Sequence, residues 1–252
     1  MNLDNIVLVM TACIAPESDV PVVFLKNANV RLEHHKSALK KYLTLSNFKR
    51  IVFCDNSNCE WDTSEFEKLA KKNHKILEFL RFQGDKEKVV RMGKGYGDAE
   101  ITKYAIDNSK IIKSNDLIFK VGARYFIKNI NKILGRKMNS DYIYAVPSSV
   151  FKLKKVRSID GIAWLMGVDL YTKHFWSKLS EQIDDNNGVY YEHILFNCME
   201  NSHLVFRSFV PLPLYDVPYS GSAGMTYKYN PIKHCIKNIY LKLIVNRGLN
   251  EK

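Results

Sequence analysis

The chain is poor in cysteine, glycine, proline and acidic charge. Its five cysteines, Cys13, Cys54, Cys59, Cys198 and Cys235, are scattered, with no Cys-x-x-Cys pair. An odd, unpaired set argues against a disulfide framework and against a zinc knuckle, and leaves most of them as small core residues. With 12 glycines and 7 prolines in 252 residues, no stretch reads as a linker, a repeat or a low-complexity tract. No apolar run reaches the ~18 residues of a membrane span, and Ile6 to Ile14 is too short for one. No basic leader precedes that run, so the expected compartment is the cytosol. No helix-turn-helix, RNP aromatic pattern or zinc finger is visible, so nucleic acid is not an expected partner. There is no Gly-x-Ser-x-Gly elbow, P-loop or His-Glu-x-x-His motif. The adjacent His34 and His35 point to opposite sides of any element and do not form a metal site by spacing.

Acidic residues number 26 against 38 Lys and Arg, a net charge of +12. That balance favours anionic partners, although a chain rich in Lys and Asn carries part of such an excess through composition alone.

Three glycines spaced by two stand out: Gly93-Lys94-Gly95-Tyr96-Gly97-Asp98-Ala99-Glu100. Helical periodicity follows, with Ile101, Tyr104 and Ala105 on one face. Glycines let backbone approach a ligand closely, and a helix N-terminus offers unpaired N–H groups to a phosphate. The spacing is not that of the dinucleotide fingerprint. The alternative reading is a helix entered through a turn, with Asp98 as its N-cap.

Elsewhere the chain alternates. Buried strands are predicted at Ile6–Met10, Arg50–Cys54, Lys75–Phe82, Asp116–Val121 and Asp141–Val146. Helices are predicted at Leu32–Leu45, at Trp61–Lys72 and from the glycine loop to about Asn108. Alternation of this kind predicts an α/β fold with a mostly parallel sheet. Ligands in such sheets sit beyond the carboxyl ends of the strands. Those ends are Thr11–Ile14, Asp55–Ser57, Gly93–Asp98 and Lys120–Tyr125, which are expected to meet in one crevice.

The second half is less regular. A turn at 184–188 leads into a helix opening at Tyr190-Tyr191-Glu192-His193, a late strand is predicted at Leu204–Phe209, and residues 219–224 form a small-residue loop. The last helix begins at Asn230-Pro231, a good N-cap and N1 pair. Ile232, Cys235, Ile236, Ile239, Tyr240 and Leu243 form its apolar stripe, with Lys233, Lys237, Lys242 and Arg247 outside it. Such a basic amphipathic helix either lies on an anionic membrane surface or packs its stripe on its own domain.

The ordered motifs resemble bacterial surface-polysaccharide glycosyltransferases of O-antigen, capsule and lipooligosaccharide clusters, enzymes that are GT-A-like. The set that carries the resemblance is Thr11-Ala12-Cys13-Ile14-Ala15-Pro16, Phe53-Cys54-Asp55-Asn56-Ser57, Gly93 to Ile101 and Lys120-Val121-Gly122-Ala123-Arg124-Tyr125-Phe126. The resemblance covers about residues 5–130, with looser matches at Tyr191-Glu192-His193 and Gly221–Gly224. It implies a Rossmann-type catalytic domain over 1–229, with a nucleotide-sugar-binding half at 1–130 and an acceptor half at 131–229. The basic helix of 230–252 follows. The implied partners are a nucleotide-sugar donor and a glycan or lipid-linked acceptor, with contact at the inner face of the cytoplasmic membrane. The alternative is a basic, non-enzymatic binding module for nucleic acid or anionic glycan.

Within that reading, Thr11, Ala12, Asp55 and Asn56 would hold the nucleoside, with an Asx-turn as the other role open to Asp55. Gly93, Lys94, Gly95 and Gly97 would face phosphate or sugar. Lys120 and Arg124 would neutralise the pyrophosphate, unless they belong to a solvated face. Tyr125, with Tyr96 and Tyr191, would contact sugar. Ser220, Gly221, Ser222 and Gly224 would form an acceptor or phosphate loop. Glu192 is the candidate base, with Asp98 and His193 as alternatives. The resemblance also implies an Asp-x-Asp metal motif, but that place reads Lys120-Val121-Gly122-Ala123-Arg124. No metal ligands are therefore assigned, no cofactor is certain, and a divalent metal stays open.

Overall fold

The run Ile6–Ala12 is buried along its whole length and forms the strand around which the rest is built. The computed structural model describes residues 3–17, 20, 23–148, 150–151, 158–202, 204–216 and 230–245. Ser220, Gly221, Ser222 and Gly224, together with Arg247, lie outside them.

The first half comprises β1 (Ile6–Ala12), α1 (Ala28–Leu45), β2 (Arg50–Asp55), α2 (Ser64–Lys72), β3 (Ile76–Arg81), α3 (Lys86–Met92), α4 (Lys94–Asn108) and β4 (Leu117–Gly122). Then come β5 (Phe126–Ile127), α5 (Ile130–Leu134), β6 (Tyr142–Pro147), β7 (Ile159–Gly167), α6 (Val168–Leu170) and α7 (Trp176–Gln182). The last elements are α8 (Tyr191–Asn201), β8 (Val205–Ser208), β9 (Tyr215–Asp216) and α9 (Pro231–Val245).

Seven strands form one sheet in the order β3-β2-β1-β4-β7-β6-β8. The half from β3 to β4 is parallel. β7 runs antiparallel between β4 and β6, and β8 is parallel to β6. The mostly parallel α/β sheet expected from the alternation is thus present. Along β1 the side chains alternate: Ile6, Leu8, Met10 and Ala12 join the core under α1 and α2. Val7 and Val9 join the core under α4, α7 and α8. Period-2 burial on both faces is what a central parallel strand requires. At the far end of the sheet Arg50 makes a bidentate pair with Asp116, at 2.7 and 2.8 Å, away from the strand tips considered below.

Four differences from the sequence reading matter. The predicted strands are found, their limits displaced by a residue or two. Helix α1 starts four residues early, at Ala28, because Asn27 caps it and accepts from the Val30 amide at 3.1 Å. The glycine segment is no loop: α3 ends at Met92, Gly93 is a single-residue hinge, and Gly95 and Gly97 lie in α4. Asp98 is therefore inside α4 and does not cap it. Finally, Ile159–Gly167 is a nine-residue strand where no regular element was read.

Helix α9 docks through Leu241, which packs with Val150 and Leu212. The Leu212 amide also donates to Asn238 Oδ1 at 2.7 Å. Its other side faces out: Ile232 is 72% exposed, Ile236 51%, Ile239 54% and Leu243 56%. Those four positions fall on one narrow stripe opposite Leu241. Of the apolar stripe read from the sequence, Tyr240 packs against Phe151, while these four face outward. Among the described residues no helix is long and apolar enough to cross a membrane.

Candidate active site

The register of the parallel strands brings three carboxyl ends side by side. Thr11 lies level with Cys54 of β2 and Gly122 of β4, and Ala12 with Asp55. The loops leaving these strands bond to β1: the Asn56 amide donates to Ala12 O at 3.1 Å, and the Ala123 amide to Thr11 O at 2.8 Å. Beyond them opens a cleft of about 550 Å³. Thr11, Ala12, Asn56, Lys94, Gly95, Gly97, Asp98, Lys120, Arg124, Tyr125 and Glu192 line it, all of them named from the sequence. Asp55, Gly93 and His193 do not.

Asp55 is fully buried and closes its own loop. Its Oδ1 accepts from the Ile14 amide at 2.9 Å, its Oδ2 from the Cys59 amide at 3.0 Å, and both from the Ser57 hydroxyl. Burial raises its pKa against these bonds. Of the two roles left open for Asp55, the structure supplies the turn; a ribose hydroxyl would find its oxygens occupied. His193 lies beside the Tyr190 ring, 5.5 Å between centroids, rather than at the cleft.

The glycines have an internal explanation. Asp185, on the loop before α8, places Oδ2 3.0 Å from the Gly95 amide and so caps α4. A Cβ on Gly93 would lie 2.4 Å from Asp185 Cβ and Oδ2, and one on Gly95 3.0 Å from Tyr191 Cβ. A Cβ on Gly97 would be 3.3 Å from Asn56 Nδ2. The positive end of the helix thus already holds a carboxylate, and the first turn is not open to a phosphate. Burial raises the Asp185 pKa, opposed by the Gly95 amide and Lys94.

Lys120 is likewise committed. It is 1% exposed, pairs with Asp98, donates to Gly161 O at 2.7 Å and sits 5.5 Å over the Tyr191 ring. Its charge is balanced inside the protein rather than offered to a ligand. Tyr191 accepts from Trp164 Nε1 at 3.0 Å, so its hydroxyl is engaged in the core. Tyr96 is buried and does not line the cleft.

Two residues that the sequence reading missed line the cleft beside these. Arg31 is buried on α1, held by Cys13 O at 2.7 Å and Leu25 O at 3.0 Å. Arg31 fell just before the helix predicted from Leu32, and its position over β1 depends on how α1 packs. Asp160, near the start of β7, accepts from the Ile162 amide at 2.8 Å and the Tyr215 hydroxyl at 3.0 Å. Burial raises its pKa, and the nearby Glu192 adds to the rise. Glu192 reaches over Gly161: a Cβ there would stand 2.8 Å from its Oε1. Cys13 also lines the cleft, but burial pushes its thiol up to about 11, despite Arg31, so at neutral pH it is protonated and a poor nucleophile.

The cleft therefore carries both kinds of charge. Arg31 and Arg124, from α1 and the loop after β4, line it together with Asp160, Asp185 and Glu192, from β7 and the segment that enters α8. Such a site can hold an anion and accept a proton.

No protein-family model matches the chain, and no curated protein matches it by sequence. Solved structures match by fold. The glycosyltransferase GlyE of Streptococcus pneumoniae TIGR4 superposes with a TM-score of 0.54 at 10% identity, over 96% of this chain and 62% of that one. The mannosyltransferase Ktr4p of S. cerevisiae superposes with a TM-score of 0.51 at 12% identity, over 98% of this chain and 82% of that one. The chain spans less than two thirds of GlyE, and at these identities the likeness is one of fold.

Proposed function

We propose that this chain is a glycosyltransferase. It moves a sugar from a nucleotide-sugar to a growing or lipid-linked glycan of the kind found in bacterial surface polysaccharides. The observation that carries the reading is the cleft at the strand tips, lined by guanidiniums and by carboxylates. Thr11, Ala12 and Asn56 would face the nucleoside, Tyr125 the donor, and the guanidiniums its diphosphate.

The reaction is an inverting displacement. An acceptor hydroxyl attacks the anomeric carbon, its proton passes to Glu192, and the bond from that carbon to the diphosphate oxygen breaks with its electrons on the leaving group. Asp98 is a poorer candidate because Lys120 balances its carboxylate, and His193 does not line the cleft. Glu192 forms no ion pair among the described residues.

The outward stripe of α9 supports a further part of the reading. Ile232, Ile236, Ile239 and Leu243 face solvent, with Lys233 and Lys242 flanking them on either side. That pattern suits the headgroup boundary of an anionic bilayer, at the inner face of the cytoplasmic membrane, where a lipid-linked acceptor would lie.

The test is a panel of nucleotide-sugars, with release of nucleoside diphosphate as readout, repeated with Glu192→Gln. Removing a general base lowers kcat about 10²–10⁴-fold, and nucleotide affinity should be unchanged. A panel without turnover overturns the reading. A near-wild-type rate in Glu192→Gln moves the base to Asp160 or Asp98.

A further inference from the structure

The resemblance implies a divalent metal held against the donor diphosphate by an Asp-x-Asp pair after the central strand. The residues present do not fit that group. β4 runs out into Gly122, Ala123 and Arg124. Most carboxylates of the cleft are engaged elsewhere: Asp98 with Lys120, Asp185 with the Gly95 amide, and Asp160 with the Ile162 amide and the Tyr215 hydroxyl. Among the described residues no three His, Cys, Asp or Glu side chains gather as a metal would need.

We propose that two guanidiniums, Arg31 and Arg124, hold the diphosphate of the donor in the place of a metal ion. The proposal rests on the glycosyltransferase reading and assigns its phosphate subsite. Both side chains line the cleft. Arg31 is fixed by two backbone carbonyls, and its Nη2 makes no hydrogen bond among the described residues. Arg124 Nη1 is shut off from water with no partner, and the guanidinium lies 5.8 Å over the Tyr125 ring. Neither arginine pairs with a carboxylate among the described residues. Their surroundings only partly offset this. Burial lowers the Arg31 pKa to about 10, and Arg124 lowers it further against the pull of Cys13. Burial first, then these two cations, holds His34 and His35 neutral.

Two partly desolvated cations, with no ion-paired carboxylate among the described residues, are costly to fold. A diphosphate supplies the missing charge; Arg124 can present two parallel donors to its oxygens, and Arg31 its Nη2. The arrangement also acts where the reaction needs it. As the sugar–oxygen bond breaks, negative charge grows on the diphosphate, and fixed cations there stabilise the transition state more than the ground state. Lys120, offered by the sequence for this task, is excluded by its pairing with Asp98.

The experiment is calorimetric titration of the full chain with inorganic pyrophosphate and with UDP, in EDTA and then with Mn²⁺. It compares wild type, Arg124→Gln, Arg31→Lys and Lys68→Gln, a surface control on α2. Pyrophosphate should bind the wild type in EDTA, lose about tenfold or more in Arg124→Gln, and lose less in Arg31→Lys, which keeps charge but not the fork. Lys68→Gln should bind as wild type. Melting of each unliganded variant reports its folding, and Arg124→Gln carries the test if Arg31→Lys unfolds. Binding that appears only with Mn²⁺, or that survives Arg124→Gln, overturns the proposal. Donor turnover in EDTA that Arg124→Gln abolishes supports it. The two readings fail separately. Pyrophosphate bound at Arg124 without turnover of any nucleotide-sugar keeps the subsite and overturns the transferase. Turnover that needs Mn²⁺ and ignores Arg124 does the reverse.

Discussion

Replacing Gly93 by alanine tests the account of the glycine segment most directly. Gly93 has φ of 99° and ψ of 179°, a conformation that L side chains rarely adopt. Holding a non-glycine residue there costs about 1–3 kcal/mol. The new Cβ would also stand 2.4 Å from Asp185 Cβ and Oδ2, so the Asp185 loop must withdraw. The Gly95 amide then loses its acceptor, and a lost N-cap costs about 0.5–2 kcal/mol. Together the loss is about 2–5 kcal/mol, or roughly 4–20 °C in Tm for a chain of this length. Gly188→Ala is the matched control. Its φ is 78°, but no atom lies within 4 Å of its added Cβ. It should cost only about 1–2 kcal/mol. Urea unfolding followed by tryptophan fluorescence, alongside a thermal scan, measures both. In the Gly93→Ala/Asp185→Gly double variant the obstacle is gone, so the combined loss should fall short of the sum by about 0.5–3 kcal/mol. If Gly93→Ala is no less stable than Gly188→Ala, or the double variant is simply additive, Asp185 is not what the glycine accommodates.

Two further outcomes follow from the same physics. The folded pKa of Asp160 is raised by burial, so its contribution to stability is fully present below about pH 4 and is lost as pH rises through the raised value. The Asp216 pKa is lowered, first by the hydrogen bond from Lys41, so its contribution is present above about pH 4 and lost as pH falls through the lowered value. Measured by urea unfolding, Asp160→Asn should therefore gain on the wild type as pH rises, while Asp216→Asn should trail it at neutral pH and close the gap in acid. Equal trends in the two variants would contradict the assigned environments. For α9, Ile236→Ser/Ile239→Ser should weaken flotation with anionic vesicles about tenfold or more, because each buried apolar side chain is worth ~1.5–3 kcal/mol. Tm should barely move, since both side chains are exposed. Undiminished flotation would remove the helix from the membrane reading.

Much of the frame was legible in the residues themselves. The apolar runs at Ile6–Met10 and Arg50–Cys54 lie in the central strands Ile6–Ala12 and Arg50–Asp55, because a strand buried on both faces needs such a run and a turn-former to end it. The convergence of three strand tips follows from alternation alone. The amphipathic pattern of α9 was visible, though not which face would be covered: Leu241 went in, and Ile232, Ile236, Ile239 and Leu243 stayed out.

What the sequence by itself determined is whatever one short segment encodes through its own period and turn chemistry: strand, helix and the order in which they alternate. Only the tertiary structure decided what the groups at the strand tips do. The anion at the start of α4 comes from Asp185, 90 residues on. Lys120 of β4 meets Asp98 of α4, and Arg31 reaches the cleft because α1 packs over β1. The strand Ile159–Gly167, with Gly161 inside it, is specified by β4 and β6 on its two sides. Charges and donors are satisfied by whichever partner the fold brings within 3 Å or so, and that distance bears no relation to separation along the chain.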